Sequence, residues 1–281
     1  GHVGLGDGPA QPRLAGIDGA GTPTTGTPHR FHWEPLPVGE FVLGHRDAEG
    51  VVPPVPAGGW ARHGSFVVIR KLRQDVAAFR SLVHDTGGGY PGGPDELAAK
   101  LVGRWYDGTP LARSPRRPDP QIADDPARVN DFRFGDDPDG RACPLGAHIR
   151  RVNPRDGAGV GGAMTTRRRM IRRGVPYGPR LEPGADDDGV DRGLVFVCVV
   201  ADIERQFEFV QRNWVNDGDV LRAGHDPDPL IGLPRAGSRF KVPGDPPYLL
   251  PLERPLVTVR GGLYLFQPGL RALTDLAAGT V

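Results

Sequence analysis

The sequence of 281 residues is poor in lysine and cysteine and contains no long apolar run. Three of its 35 basic residues are lysine, so any anion contact would be made mainly by planar, bidentate guanidinium groups. Two cysteines, Cys143 and Cys198, are too few for a disulfide framework, and Cys198 lies in an apolar run typical of a buried thiol. No stretch approaches the roughly 18 apolar residues that a membrane-spanning helix needs, which argues against a membrane span.

The charges nearly cancel, with 35 basic and 34 acidic side chains and a net charge of +1. This balance argues against nucleic acid as the main partner, because nucleic-acid-binding domains carry a clear basic excess. Glycine (42) and proline (31) are frequent but are spread between apolar runs, which predicts long loops around a folded core. We expect residues 1–64 to form an extended Gly/Pro-rich lead segment and residues 65–281 to form the folded domain.

The apolar patterning predicts an α+β fold. In chain order, the sequence predicts a strand within residues 65–72, helices within 73–85 and 94–105, and a central strand within 194–200. These are followed by a helix within 201–215, whose apolar face includes Trp214, and by a hairpin within 255–270 around Gly261–Gly262. A polar loop is predicted over residues 106–140. This order fits an antiparallel sheet with helices on one face.

Among the histidines, His148 raises a specific question, since it stands between small residues and a basic cluster in "GRACPLGAHIRRVNPRD". A structural zinc site needs four ligands with paired spacing, and neither CxxC nor HExxH is present. The fragment "GAGVGG" (157–162) does not follow a predicted strand, as a nucleotide-binding loop must. Two interpretations stay open: a loop histidine bonded to a backbone carbonyl, or the single protein ligand of a porphyrin iron.

Several segments together resemble one family. "CPLGAHIRRVNPRD" (143–156) resembles the proximal-histidine motif of the dye-decolorizing peroxidases, which bind haem. "GLGDGPAQPRLAG" (4–16) resembles the GxxDG segment of that family, and "RRRMIRRGVPYGP" (167–179) and "DPLIG" (228–232) resemble later segments in the same order. The resemblance covers essentially the whole chain.

The resemblance implies which residues surround a haem b group. His148 would be the axial iron ligand. Asp7, by its place in GxxDG, and Arg172 would act on the opposite, peroxide-binding side, with Arg173 the less favoured neighbour. Asp228 would hold the other ring nitrogen of His148, with Asp226 as the second choice.

The basic cluster after His148 has two interpretations. A haem propionate would be contacted by an arginine of "HIRR" (148–151) or "RRRMIRR" (167–173), with Arg150 or Arg151 first, or these arginines would form a solvated basic loop.

The function that the resemblance implies is reduction of hydrogen peroxide and oxidation of dyes, phenols or other organic reductants. The implied fold is a ferredoxin-like sheet, the C-terminal half of a dimeric α+β barrel. Because GxxDG lies near the junction of the family's two halves, we expect the N-terminal half to be missing. Alternatives are a haem-binding or interaction module without efficient turnover, needing that half or a second chain, and a deferrochelatase-like protein. Homo-oligomerisation and the compartment stay open.

Overall fold

The structure, a computed structural model, describes residues 2, 11–16, 35–56, 59–157, 162–219 and 224–280. Within these residues the strands are β1 (Ser65–Gln74), β2 (Ile171–Tyr177), β3 (Gly193–Val200), β4 (Arg239–Val242), β5 (Tyr248–Pro251) and β6 (Val257–Gln267). The α-helices are α1 (Val76–Ser81), α2 (Gly93–Val102), α3 (Pro120–Ala123), α4 (His148–Val152), α5 (Ala163–Thr166) and α6 (Leu270–Ala277). Wider π-type turns form Leu82–Thr86, Glu204–Glu208 and Val210–Val215, and short 3-10 turns form Val38–Glu40 and Arg155–Gly157.

The main sheet is antiparallel and has the strand order β2-β3-β1-β6. β3 pairs with both β2 and β1, which confirms the prediction that the run 194–200 is a central strand. β4 and β5 form a separate two-stranded sheet. The α+β fold with an antiparallel sheet is confirmed, as are the strand at the start of the folded domain and the helices that follow it. The predicted loop 106–140 is interrupted by α3.

The predicted hairpin around Gly261–Gly262 is wrong. Both glycines lie inside the continuous strand β6, which pairs with β1 along its whole length. The register shifts between Lys71 and Leu72, where Gly261 faces Lys71 but Val259 faces Leu72. Glycine pairs inside a strand mark a bulge as well as a turn. A Cβ at Gly262 would lie 2.2 Å from Nη1 of Arg70, so this glycine makes room for the arginine side chain.

The two faces of the main sheet differ sharply in burial, because successive side chains of a strand point to opposite sides. Val68, Cys198 and Val200 are fully buried on one side, which we call the covered face, where Phe207 packs against them. On the other side, which we call the open face, none of the nine aliphatic side chains is buried. The aliphatic residues of the open face are Val67, Ile69, Ile171, Val175, Val195, Val197, Val199, Leu263 and Leu265.

Local sequence explains the helices that border the covered side. α2 begins with a proline in its first turn and ends at Gly103, which adopts φ 98° as a left-handed C-cap. The helical segment 204–215 buries Phe207, Val210 and Trp214, as its apolar spacing predicts. The core role expected for Trp214 is confirmed by its 1% exposure.

The described part of the lead segment packs onto the domain. Leu43 and Ala61 form a small core cluster with Ala201. Two buried carboxylates of this segment, Glu40 and Asp47, accept hydrogen bonds from the Arg205 guanidinium. The sheet begins at Ser65, but the proposed boundary between residues 64 and 65 stays a prediction. Over the described ranges, no helix has the length and apolar character needed to cross a membrane.

Candidate functional site

His148 is the first residue of the short helix α4. The preceding Ala147 is its N-cap and is fully buried. A Cβ on Gly146 would approach the ring of Phe240 to 3.2 Å, so a larger residue there would press on the ring. Small residues before His148 thus let the backbone pack tightly and fix the start of the helix that carries the imidazole.

Asp228 binds the imidazole of His148 from 80 positions further along the chain. Nδ1 of His148 lies 2.9 Å from Oδ2 of Asp228. The other carboxylate oxygen, Oδ1, accepts hydrogen bonds of 2.9 Å from the backbone N–H groups of Leu230 and Ile231. The backbone N–H of Asp228 itself donates to the carbonyl of Val215 at 2.7 Å. The carboxylate is therefore fixed in position and in rotation before it meets the histidine.

The electrostatics of this pair keep Asp228 ionised. Burial alone would raise the pKa of Asp228, but the attraction and hydrogen bond of His148 and the charge of Arg151 bring the pKa below its ordinary value. An ionised carboxylate only accepts hydrogen bonds, so Nδ1 of His148 carries a proton, and in the neutral imidazole the lone pair then lies on Nε2.

The opposite edge of the His148 ring is open. Its side chain is 23% exposed, and none of the residues that the structure describes hydrogen-bonds to Nε2. A histidine oriented by a buried carboxylate, with a free lone pair on its other nitrogen, is the usual arrangement of a metal-binding histidine. The geometry fits the single protein ligand that a porphyrin iron requires.

Arg150, an expected propionate partner, is instead held inside the protein. Its guanidinium donates to Oδ2 of Asp137 at 3.1 Å, to the Asp137 carbonyl at 2.7 Å and to the Cys143 carbonyl at 2.7 Å. It also lies over the ring of Phe134. These contacts occupy a side chain that is 6% exposed, so the expectation of a propionate contact finds no support at Arg150. Burial raises the pKa of the neighbouring Cys143 thiol to about 12, which leaves it protonated and inert.

Arg151, the other expected propionate partner, is fully buried on the His148 side of the site. Its Nε donates to the Trp214 carbonyl at 2.7 Å, while Nη1 and Nη2 are buried without a hydrogen-bond partner among the described residues. Burial lowers the pKa of Arg151, and the attraction of Asp228, Asp226 and, more weakly, Asp217 opposes that shift. Asp226, the second choice for contacting His148, instead accepts a hydrogen bond from the backbone N–H of Arg239. The basic cluster after His148 is thus buried rather than solvated.

Arg172 and Arg173 lie on opposite faces of the sheet. Arg172 pairs with Cys198 and shares the covered face, whereas Arg173 pairs with Val197 and is exposed on the open face. The alternation of β2 therefore favours Arg172 over its neighbour as the arginine of an enclosed site.

Three further arginines gather with Arg172, and the sequence did not single them out. Burial lowers the pKa of Arg104 and of Arg169 to about 10 each, and repulsion by Arg172 adds to both shifts. Burial followed by repulsion from Arg169, Arg104 and Arg172 puts the pKa of Arg155 well below its ordinary value. Such a concentration of buried positive charge would stabilise an anionic group placed near it. Arg169 stands in the run "RRRMIRR", but no spacing rule distinguishes it there.

Asp7 lies outside the described residues. The described residues that bracket it in the sequence, His2 and Gln11, both contact β2. His2 Nε2 lies 2.7 Å from the carbonyl of Tyr177, and the side-chain amide of Gln11 both accepts from the backbone N–H of Arg172 and donates to its carbonyl. His2 and Gln11 are thus both held to β2, the strand that carries Arg172.

Comparison with known proteins gives a consistent result. Residues 98–223 match the family model described as Dyp-type peroxidase, C-terminal. A dye-decolorizing peroxidase of Mycetinis scorodonius is 32% identical over 97% of this chain and 56% of its own length. A multifunctional dye peroxidase of an Amycolatopsis species is 34% identical over 98% of this chain and 60% of its own length. The chain therefore spans somewhat more than half the length of these relatives.

Solved structures agree with this match. A dye-decolorizing peroxidase in complex with 2,6-dimethoxyphenol superposes with a TM-score of 0.79 and 30% identity, covering 99% of this chain and 63% of that one. An ancestral D-type dye-decolorizing peroxidase gives a TM-score of 0.77 and 34% identity over 98% of this chain and 62% of the other.

Proposed function

Because the chain belongs to the dye-decolorizing peroxidase family, we propose that it acts as a haem-dependent peroxidase. It would reduce hydrogen peroxide and oxidise dyes, phenols or other organic reductants. The resemblance in sequence motifs and the match to solved structures support this assignment over the whole length of the chain. The haem b group, the residue roles and the substrates are parts of the proposal.

The observation that carries the proposal is the hydrogen bond between His148 and Asp228. It fixes the tautomer that offers Nε2 to a metal, and the buried carboxylate makes the imidazole a stronger electron donor. The donor set contains one imidazole and, among the described residues, lacks any group of three metal-binding side chains. That composition fits an iron whose remaining in-plane ligands belong to a porphyrin.

The bound haem would supply the electron-transfer chemistry, and the chain's own residues would bind, orient and move protons. Arg172 would hold a fixed positive charge where the departing peroxide oxygen becomes negative, in the manner of an oxyanion-hole donor. Asp7 would accept a proton from peroxide at its carboxylate and return it to the departing oxygen. A carboxylate in that role favours acid pH unless burial raises its pKa.

The carboxylate groups of the haem need positive partners. The cluster of Arg104, Arg155, Arg169 and Arg172 offers a concentration of positive charge. Arg169 is the member that we propose as a propionate contact, since burial and the charge of Arg172 lower its pKa to about 10 and a nearby anion would offset that shift. Arg151 keeps this role only through Nη1 and Nη2, which have no hydrogen-bond partner among the described residues, and Asp228, Asp226 and Asp217 already attract its charge.

The test begins with the haem-free chain and added haemin. We expect an intense Soret band on binding, its loss in His148→Ala, and its retention in His225→Ala, which removes a histidine that is 92% exposed. An equal band in both variants would overturn the axial assignment. Hydrogen peroxide and a phenolic substrate are then added to the loaded wild type, and peroxide-dependent oxidation is expected.

A second function is favoured by one observation, namely that the chain spans 56% of its curated relative. A chain of this extent would serve as a haem-binding module that turns over only with further polypeptide. The same experiment separates the two functions, since the module would show the His148-dependent Soret band without any peroxide-dependent oxidation.

A further inference from the structure

Arg151 carries a charge that the fold encloses completely. It lies in α4 three residues after His148, a spacing that places two side chains on the same side of a helix. The residue is fully buried, and among the described residues only Nε has a hydrogen-bond partner, the Trp214 carbonyl at 2.7 Å. Taking a guanidinium out of water is unfavourable, so a charge in this position requires a compensating interaction.

The neighbouring Arg150 shows how the same protein buries an arginine for structural support. Its guanidinium donates to the side chain and the carbonyl of Asp137 and to the carbonyl of Cys143. Arg151 makes a single hydrogen bond, which a neutral side chain of the same reach could also make. The hydrogen bond alone therefore does not explain why a charge is buried at position 151.

Arg151 and Asp228 are attached to the same end of one helical segment. The Trp214 carbonyl accepts from Nε of Arg151, and the next carbonyl along the chain, that of Val215, accepts from the backbone N–H of Asp228 at 2.7 Å. Asp228 binds Nδ1 of His148 at 2.9 Å, and His148 shares α4 with Arg151. These contacts form a closed ring, so the guanidinium of Arg151 is kept close to the carboxylate that orients the histidine.

The charges of Arg151 and Asp228 attract each other inside the protein. Burial lowers the pKa of Arg151, and the attraction of Asp228 is the largest of those that oppose this shift. Burial raises the pKa of Asp228, whereas His148 and, next after it, the charge of Arg151 lower it. Both side chains are enclosed, so solvent and salt screen this attraction little.

We propose that Arg151 is a positioning residue that sets, through Asp228, how strongly His148 donates electrons to a bound haem iron. A buried carboxylate on the second nitrogen of a metal-binding histidine strengthens this donation. The positive charge of Arg151 offsets part of the negative charge of Asp228 and so limits the effect. Charges and hydrogen bonds around an axial ligand set the reduction potential of the iron, and Arg151 would thus raise this potential. The inference rests on the axial role of His148 in the proposed function.

The first test uses the haem-free chain, so its result does not depend on the proposed peroxidase activity. In protein labelled with nitrogen-15 at histidine, the Nδ1–H resonance of His148 is identified by its absence in His148→Ala. Arg151→Gln keeps a nitrogen at the position of Nε, which can still donate to the Trp214 carbonyl, and removes the charge. We expect the resonance to move downfield in Arg151→Gln, because a carboxylate without a neighbouring positive charge accepts the hydrogen bond more strongly.

The matched control is Arg212→Gln. Arg212 belongs to the same helical segment as Trp214, but its side chain is 69% exposed, so solvent screens its charge. The Nδ1–H resonance of His148 should therefore keep its wild-type position in this variant. Folding of all variants is checked by circular dichroism, and Arg151→Met replaces Arg151→Gln if the latter does not fold.

The second test measures the ferric–ferrous equilibrium of the haem-loaded protein by spectroelectrochemical titration. Arg151→Gln should shift this equilibrium about ten-fold towards the ferric form, which is about 59 mV for one electron, whereas Arg212→Gln should keep it within about two-fold. An unchanged His148 resonance in the folded Arg151 variant, or equal shifts of the equilibrium in both variants, would overturn the inference. Failure of every variant and of the wild type to bind haemin would count against the peroxidase proposal instead, and the resonance of the haem-free chain would still decide the role of Arg151.

Discussion

Replacing Asp228 by asparagine should invert the tautomer of His148. The asparagine keeps the shape of the side chain, and its oxygen remains the favoured acceptor for the backbone N–H groups of Leu230 and Ile231. The reverse rotation would point an NH2 group at two N–H donors. The amide NH2 therefore takes the place of Oδ2, 2.9 Å from Nδ1 of His148, and can only donate.

A donor at that position forces the proton of the imidazole onto Nε2. The lone pair then lies on Nδ1, inside the protein, and Nε2 loses its capacity to bind iron without breaking the new hydrogen bond. Changes in groups that orient a metal-binding histidine typically lower metal affinity 10-fold to 100-fold, which is about 1.4–2.7 kcal/mol. We expect a loss at the upper end, because both the charge and the tautomer change.

The assay is a haemin titration of the haem-free wild type and variant, followed at the Soret band. Asp226→Asn is the matched control, since Asp226 is two residues away and contacts the backbone of Arg239 rather than the histidine. Its affinity should stay within about two-fold of the wild type. An unchanged affinity in Asp228→Asn, with folding intact, would show that the carboxylate does not set the tautomer of His148.

Two further predictions follow from the opposite placement of Arg172 and Arg173 and from the buried carboxylate Asp47. In the haem-loaded protein, Arg172→Leu should lower the steady-state rate of peroxide-dependent dye oxidation about 100-fold or more without removing the Soret band, whereas Arg173→Leu should keep this rate within about three-fold of the wild type. Equal losses of rate in the two variants would contradict the proposed role of Arg172. Burial would raise the pKa of Asp47, but hydrogen bonds from the backbone N–H groups of Glu49 and Val51 and the charges of Arg167 and Arg205 lower it. A carboxylate whose pKa is lower in the folded protein stabilises the fold at pH values above its unfolded pKa of about 3.9. This stabilisation is lost as the pH falls through the pKa of the folded state. Urea unfolding should therefore show Asp47→Asn about 2 kcal/mol less stable than the wild type at pH 7, with the difference shrinking below about pH 4. A difference that stays constant across this pH range would show that the ionised Asp47 carboxylate does not stabilise the fold.

Much of the sheet could be predicted from periodicity, because burial imposes regular patterns on strands and helices. The apolar run 194–200 and the β-branched stretch at 65–72 both form strands, and the Gly103 stop signal ends α2 where expected. The pair Gly261–Gly262 was misread, since a bulge and a hairpin share the same local composition. Only the partner strand distinguishes them, and pairing is a long-range property.

Fewer of the contacts in the candidate site could be predicted from the sequence. The contact between His148 and Asp228 joins residues 80 positions apart, so it followed from the family resemblance and not from any spacing. The burial of Arg150 could not be foreseen, because its partner Asp137 stands in a polar loop whose path no pattern reveals. The grouping of Arg104 and Arg155 with Arg172 likewise arises from the fold as a whole.

The register of β2 on β3 decides which arginine enters the site. Strand side chains alternate with a period of two, so this register determines whether Arg172 or Arg173 reaches the covered face. A shift of β2 by one residue along β3 would exchange the two guanidinium groups between the faces, and it would move the positive charge of Arg172 from the site to the opposite surface of the molecule.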